Sequence, residues 1–452
     1  MTTPGAPGLF GPLFSTDRMS EIFSDGARLQ GMLDFEAALA RAAAAAGIVP
    51  AAAVEPIAAS CRADLLDQEA LAREAALAGN LAIPLVAALT ALVARADPEA
   101  ARHVHLGATS QDAQDTGLVL QLRRALDAFE EGLTALSDAL AGLAGRHRDT
   151  VLAGRTWLQH ARPVTLGLKA AGWLDAVERH RERLRQARPR VLAVQLGGGA
   201  GTLDALGPKG LEVAERLARA LDLALPALPW HAHRDRVAEV AVVLGLLVGT
   251  LGKIATDVAL LMQTEVGEVA EPDAPGRGGS TAMPQKRNPV AAAVVRAAAL
   301  RVPGLVSTML GALVQEHERG LGGWHAEWET LPEIARLAAG ALEQVTRVVA
   351  GLEVDAARMR RNLEATGGGI QAAAVAAALA PRLGREAAHA RVADAARRAR
   401  KEGRKLGDLL REDETVKGAL SPAELDRALD PGASVGLAGP LVDRALAARR
   451  GR

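Results

Sequence analysis

Residues 279–289 read GSTAMPQKRNP, a serine in a glycine-rich loop followed by Lys286 and Asn288 at fixed offsets and closed by Pro289. A plain connector has no use for a cation, an amide and two prolines in set places. Ser280, Lys286 and Asn288 offer a hydroxyl, an ammonium and a carboxamide just ahead of a helical stretch, donors suited to a small anion. Two other segments have the same character. HLGATSQDAQDTG, His105 to Gly117, puts Thr109, Ser110 and Asp112 before a long apolar repeat. Alone these residues cap a helix, and the free N–H groups of a helix start can bind a carboxylate. GRTWLQHARPVT, Gly154 to Thr165, also leads toward a helix. One such cluster is a cap or a loop; three at helix ends, two carrying cations and amides, point to a binding site for a small anion.

Other chemistries find little support. LGGGAGT, residues 196–202, has Thr202 where the last glycine of a dinucleotide motif belongs, and no strand precedes it. Walker spacing is absent. His231 and His233 lie two apart instead of on one helical face, without a carboxylate-rich triad, so no metal is expected. Cys61 is the single cysteine, which excludes an intrachain disulfide and a thiolate cage and fits a reducing compartment. The 53 basic and 53 acidic residues cancel, leaving no field to gather nucleic acid or an anionic membrane. The basic run RRARKEGRKLGDLLRE reads as a solvated helix face. MTTPGAPGLFGPLF lacks the basic and apolar regions of a signal peptide, and Val237 to Met262 is interrupted by Glu239, Lys253 and Asp257, a poor membrane span. The expectation is a cytoplasmic protein with no nucleic-acid or membrane partner.

The elements that must hold these segments are helices. Val119, Leu122, Leu126, Phe129, Leu133, Leu136, Leu140 and Leu143 step by three and four, a heptad seam. Val237, Val240, Leu244, Leu247, Leu251, Ile254, Val258 and Leu261 form a second seam on a helix spanning roughly 40 Å. Proline-poor stretches at about 164–187, 290–318 after Pro289 and 333–352 after Pro332 supply three more helices. An all-α protein is expected, with an N-terminal helical domain at 1–95, a long-helix bundle at 96–352 and a C-terminal helical domain at 353–452. Seams this long exceed what one bundle covers, which favours association of copies; the alternative is a monomer whose seams face one another.

In order and separation the three polar segments resemble those of the fumarase/aspartase superfamily. TEVGEVAEPDAPGRGGSTAMPQKRNP is similar to its signature, nearest the adenylosuccinate lyase branch, and the likeness runs from LFSTDRMSEIFSD to LGLAGPLVDRAL. The resemblance implies a homotetramer around a twenty-helix core, with each active site assembled from three subunits. It implies cofactor-free, reversible elimination of a group beta to a carboxylate, through a carbanion stabilised as its aci-carboxylate. Ser280 matches the mobile-loop serine that exchanges the carbon-bound proton. Lys286 and Asn288 match substrate-holding positions behind it, and Thr109, Ser110, Thr156 and Gln159 match carboxylate-binding ones.

Two departures narrow the expectation. Members that expel an amine or hydroxide carry histidine in GRTH, paired with a glutamate five residues after the signature asparagine; this chain has Trp157 and Ala293 there. A poor leaving group needs a positioned acid, whereas a carboxylate, of ordinary pKa about 4, departs without one. A carboxylate leaving group, or in reverse a carboxylate nucleophile, makes the pair dispensable. GRTWLQHA and GGWHAEWETLPEI resemble the superfamily's bacterial 3-carboxy-cis,cis-muconate cycloisomerase branch, which closes lactones in aromatic-acid breakdown. Gly322 and Trp328 replace the serine and arginine that follow HER in adenylosuccinate lyases, implying that no nucleotide phosphate is held. The implied substrate is a small tricarboxylate. Ser280 and Lys286 would be catalytic, with Thr109, Ser110, Thr156, Gln159, Asn288 and Arg319 binding carboxylates and Trp157 walling the pocket. His105 and His160 would donate to the substrate or serve the bundle. An adenylosuccinate-type lyase with relocated acid-base groups and an inactive scaffold are the rival readings.

Overall fold

The computed structural model describes residues 8–280 and 282–451. Residues 1–7, Thr281 and Arg452 lie outside the described set, and with them the first half of the stretch read as lacking a signal peptide.

The fold is all-α. Six helices matter most here: α1 (Asp25–Ala45), α2 (Ser110–Arg146), α3 (Leu166–Val191), α4 (Asp235–Leu261), α5 (Val290–Gly311) and α6 (Gly323–Ala350). Two small antiparallel sheets join them: β1 (Val151–Thr156) with β2 (Gln159–Thr165), and β3 (Val269–Ala270) with β4 (Glu353–Val354). The first of these falls where the sequence suggested only an approach to a helix. Internal contacts divide the chain into two units: one up to Thr134 with His180–Gly252 and Val294–Glu343, the other Ala135–Arg179, Lys253–Ala293 and Gln344 onward. Helices α2 to α6 each contribute residues to both.

Both seams form as expected. Every seam residue on α2 and α4 is buried, between 0% and 4% exposed, and each burial of a leucine or valine contributes about 1.5–3 kcal/mol. That burial is complete within one chain, so the seams do not argue for association. The apolar surface left outside belongs elsewhere: Leu246 on α4, Leu300 and Leu310 on α5, then Val314 and Leu321. By length and composition α4 and α5 would each suffice to cross a membrane, at mean hydropathy 1.9 and 1.5. This differs from the reading of Val237–Met262, because an 18-residue window can avoid part of the interrupting charge.

In the first unit, α1 crosses α2 glycine against glycine. A Cβ on Gly31 would lie 2.8 Å from the Gly117 carbonyl oxygen, and one on Gly117 would lie 2.9 Å from the Met32 nitrogen. Helix α4 also uses glycines to approach α5, but against side chains, Gly252 facing Ala299 and Gly245 facing Val306. Helix α6 begins at Gly323, not after Pro332, which lies inside it. A helical proline leaves the carbonyl four residues earlier without its donor. Here that carbonyl, of Trp328, accepts from Arg28 Nη2 at 2.8 Å, so the helix continues through the proline.

The second unit holds the β1–β2 hairpin and a C-terminal cluster of short helices whose apolar residues, including Val375, Leu379, Val392, Leu406, Leu410 and Val416, form a core of their own.

Gly117→Ala is expected to destabilise the protein by about 1–3 kcal/mol, since backbone atoms cannot rotate away from the added methyl. Gly172→Ala, on α3 with nothing within 4 Å of its Cβ position, should be neutral or stabilising by up to about 1 kcal/mol. Denaturant midpoints of the two variants against the parent check this difference.

Candidate active site

The polar start of α2 turns inward. Asp112 is fully buried and accepts four hydrogen bonds: from the backbone of Thr109 (2.9 Å), Gly197 (3.0 Å) and Gly198 (3.0 Å), and from His231 Nε2 (2.7 Å). The glycine run that fails as a nucleotide motif is therefore a strap around a carboxylate. Gln111 donates to the His231 carbonyl at 3.0 Å and accepts from Arg319 Nη1 at 2.7 Å. Arg319 Nη2 turns to the carbonyls of Gly198 (3.2 Å) and Gly199 (2.7 Å). The hydroxyls of Thr109 and Ser110 are half-buried and make no hydrogen bond to another described residue.

One turn further, Asp115 meets Arg234 in a bidentate pair at 2.7 and 2.9 Å. The same guanidinium binds Glu327 of α6, at 2.6 Å from Nη2 and 3.0 Å from Nε. Arg234 is 1% exposed, its charge lies 4.9 Å from the Trp230 ring centre, and Trp324 Nε1 donates to Asp115 at 3.1 Å. Burial pushes the Glu327 carboxyl up, against the pull of Arg234. Thr116 and Gln195 exchange hydrogen bonds of 3.0 Å, completing a buried polar girdle.

His105 stands just before this girdle in a left-handed conformation, φ 58°. Its Nδ1 donates to Glu36 of α1 at 2.6 Å. Burial opposes protonation of the ring, but Glu36 and, less strongly, Asp112 together outweigh it and His105 is pushed above its ordinary value.

In the second unit the hairpin turns through Trp157 and Leu158, flanked by the Thr156–Gln159 pair. Both turn residues have positive φ, 53° and 62°, the geometry of a type I′ turn that usually takes Asn-Gly. Trp157 is 97% exposed. Arg155 pins the strand through Glu268, at 2.6 and 2.9 Å, and Asn362 donates to the same carboxylate at 2.8 Å. His160 is pushed below its ordinary value by burial first and by Arg155 next, and its Nδ1 is buried without a partner among the described residues.

The signature loop is built on a second buried glutamate. Glu271 accepts from the backbone of Ala291 (3.1 Å) and Ala292 (2.8 Å), so the first N–H groups of α5 are already used. An anion at this helix start must rely on the loop's side chains. Asn288 ties the loop base, its backbone donating to Gly278 at 2.8 Å and its side chain to Gly278 and Gly279 at 3.1 and 3.2 Å. Ser280 accepts from the Met283 backbone at 3.2 Å. Arg287 is held by Glu353, whereas the Lys286 side chain is exposed and makes no ion pair with a described residue.

The expected site residues thus divide. His105, Thr109, Ser110 and Arg319 belong to the first unit; Thr156, Trp157, Gln159, His160, Ser280, Lys286 and Asn288 belong to the second. Sequence reasoning overlooked Glu36, Gln111, Asp115, Arg234, Glu268, Glu271 and Glu327, the groups that hold these residues in place. For Glu36, Asp115 and Glu327 the available signal was an acidic residue within a helical stretch; Gln111, Arg234, Glu268 and Glu271 carried none. Among the described residues no cluster of three or more His, Cys, Asp or Glu could hold a metal.

Residues 14–304 match the family described as Lyase, and residues 368–445 match Adenylosuccinate lyase C-terminus. A 3-carboxy-cis,cis-muconate cycloisomerase of Pseudomonas aeruginosa is 60% identical over 447 residues, covering 99% of this chain and 97% of that one. The chain belongs to the fumarase/aspartase superfamily. Among solved structures, the 3-carboxy-cis,cis-muconate lactonizing enzyme of Pseudomonas putida superposes with a TM-score of 0.94 at 56% identity, covering 98% of this chain and 99% of that one. The cycloisomerase of Acinetobacter calcoaceticus gives 0.93 at 44% identity, covering 97% and 100%. At the two superfamily positions where this chain departs, Trp157 stands at the hairpin tip and Ala293 in the first turn of α5, exposed.

Arg234→Met leaves Asp115 and Glu327 buried and unpaired, and is expected to destabilise the protein by about 3–5 kcal/mol. A shift of the urea midpoint small enough to imply under about 1 kcal/mol would show that the carboxylates find other partners.

Proposed function

We propose that this chain is a 3-carboxy-cis,cis-muconate cycloisomerase of aromatic-acid breakdown. The observation that carries the reading is the pair Trp157 and Ala293. The acid-base residues needed to expel an amine or hydroxide are missing, while Ser280, Lys286 and Asn288 are kept. The 60% identity to a relative named for this activity supports it.

A carboxylate oxygen of the substrate attacks a carbon of the conjugated double bond, forming the ring C–O bond. The displaced electron pair moves toward the neighbouring carboxylate and is held as an aci-carboxylate. Ser280 then delivers its proton to the carbanionic carbon, and solvent restores the hydroxyl. Lys286 stabilises the charge that develops; Asn288, Thr109, Ser110, Thr156 and Gln159 hold carboxylates. Arg319 is committed to Gln111 and the glycine strap, so it supports the site chiefly by fixing those groups. Trp157 walls the pocket and excludes water.

The proposal includes a homotetramer with active sites shared between subunits, and the division at 1–95, 96–352 and 353–452. A tryptophan displayed at 97% exposure on a hairpin tip supports the sharing, since such a ring is left uncovered by the described residues of its own chain. The apolar face of α5 supports association, because only a third of its most apolar window is buried. A cytoplasmic location fits the free thiol of Cys61.

The purified protein is expected to lactonise 3-carboxy-cis,cis-muconate and to leave adenylosuccinate untouched; the reverse result overturns the reading in favour of a nucleotide lyase. Ser280→Ala should lower turnover at least about a hundredfold with the oligomer intact, and near-normal turnover would assign the proton to another group.

Sedimentation should give a tetramer at micromolar concentration that moderate salt does not dissociate, since apolar contacts are not screened. Leu300→Arg should shift the population to smaller species, and a parent that sediments as a monomer would contradict the shared site.

A further inference from the structure

We infer that Glu36 is a positioning residue that holds His105 as an imidazolium, whose Nε2–H serves as a charged donor to a substrate carboxylate in the site proposed above. The inference rests on that reading of the site. It separates the two histidines, one charged and one neutral, and gives a role to a buried glutamate on a helix that carries none of the expected site residues.

The geometry is specific. Glu36 is 2% exposed and spends Oε1 on His105 Nδ1 at 2.6 Å. Its Oε2 is buried and meets no partner among the described residues. A carboxylate buried with one oxygen unsatisfied is costly unless a full positive charge faces it, so the contact favours the protonated ring. The other ring nitrogen has no partner among the described residues, yet it is absent from the buried, unpaired atoms. It therefore keeps a path to a ligand. The left-handed backbone at His105 is a strained conformation for a residue with a side chain, of the kind kept where a group must be aimed.

Position agrees with this. The close Gly31–Gly117 crossing fixes α1 against α2 and so fixes Glu36 relative to the segment before α2. His105 lies four residues ahead of Thr109, whose hydroxyl is free for a carboxylate. The charged groups acting on the imidazole are Glu36 from α1 and Asp112 from the first turn of α2, and both favour its protonated form. His160 differs: burial and then Arg155 disfavour its cation, and the opposing pull of Glu268, a carboxylate already engaged by Arg155, does not outweigh them. Two histidines pushed in opposite directions divide the work, one as a cationic donor and one as a neutral ring.

The linkage has a definite sign. His105 is raised in the folded state, so the pair's contribution is complete below the ordinary histidine value of about 6.5 and is lost as pH rises through the raised value. Glu36→Gln keeps the shape but removes the charge, which lowers the proton affinity of the ring. The donor then disappears at lower pH.

The test uses the full-length protein and tricarballylate as an unreactive tricarboxylate probe, titrated calorimetrically from pH 6 to 8.5 beside kcat/KM for lactonisation. Glu36→Gln is expected to weaken probe binding by a factor that grows about tenfold across that range, and to move the alkaline limb of kcat/KM to lower pH. Glu36→Asp should restore the parent's profile in part. A loss equal at every pH, or none, would reduce Glu36 to a structural tie and overturn the inference. If Glu36→Gln fails to fold, His105→Gln carries the same test, because the alkaline limb of probe binding must then vanish. Failure of the functional reading is separable: a parent that binds tricarballylate with this limb but does not lactonise the muconate would refute the activity and leave the Glu36–His105 pair standing.

Discussion

The first unit depends on one buried cation. Arg234 lies between Asp115 of α2 and Glu327 of α6, just ahead of α4, and so ties three long helices at their polar ends. Removing an arginine and two carboxylates from water costs several kcal/mol per ion, which the arrangement offsets by bidentate geometry and by further donors from Trp324 and Gln195. What it gains over an apolar plug is direction. A leucine cluster tolerates small slides and rotations, whereas a forked guanidinium accepts two carboxylates only at set angles. Register at the start of α2 is thereby fixed. Asp112 inherits that register, and through Asp112 so do the glycine strap, the Thr109 backbone and His231.

The same logic recurs in the second unit with the signs reversed. Two buried glutamates, Glu268 and Glu271, lie three residues apart and are each satisfied by several donors. One anchors the hairpin through Arg155; the other closes the N-terminus of α5 beneath the signature loop. The loop above needs this footing, because its glycines supply no stiffness. Occupying the amides of Ala291 and Ala292 with Glu271 also means that this helix start offers no rigid backbone nest to an anion.

How much of this the amino-acid sequence discloses follows from the range of each interaction. The α2 and α4 seams were legible because their period is local and depends only on neighbours three and four residues away. The polar segments were legible as places where helices begin and where unusual residues gather. The β1–β2 hairpin was not, since its turn is Trp157-Leu158 and carries none of the usual glycine or asparagine signals. The start of α6 was misplaced because Pro332 normally breaks a helix, and the arginine that makes it tolerable, Arg28, is 304 positions away in sequence. Glu36, Arg234 and Glu327 were invisible for the same reason: each acquires meaning only from a partner tens to hundreds of residues distant.

Loss of one histidine–glutamate pair and presence of another invites the idea that the second replaces the first, and the physical chemistry argues otherwise. A pair that protonates a departing amine must release its proton during the reaction, which calls for a ring whose proton affinity sits near the working pH. The Glu36 contact raises the proton affinity of His105 above its ordinary value, which favours holding the proton over releasing it. A proton held that firmly is useful as charge. Ring closure by a carboxylate on a trianionic substrate has no leaving group to protonate, but it concentrates negative charge as the aci-carboxylate forms. A cation placed there is worth most while it stays protonated. The absence of the acid-base pair at Trp157 and Ala293 and the inferred Glu36-backed imidazolium fit one requirement: a reaction with no leaving group to protonate still needs positive charge.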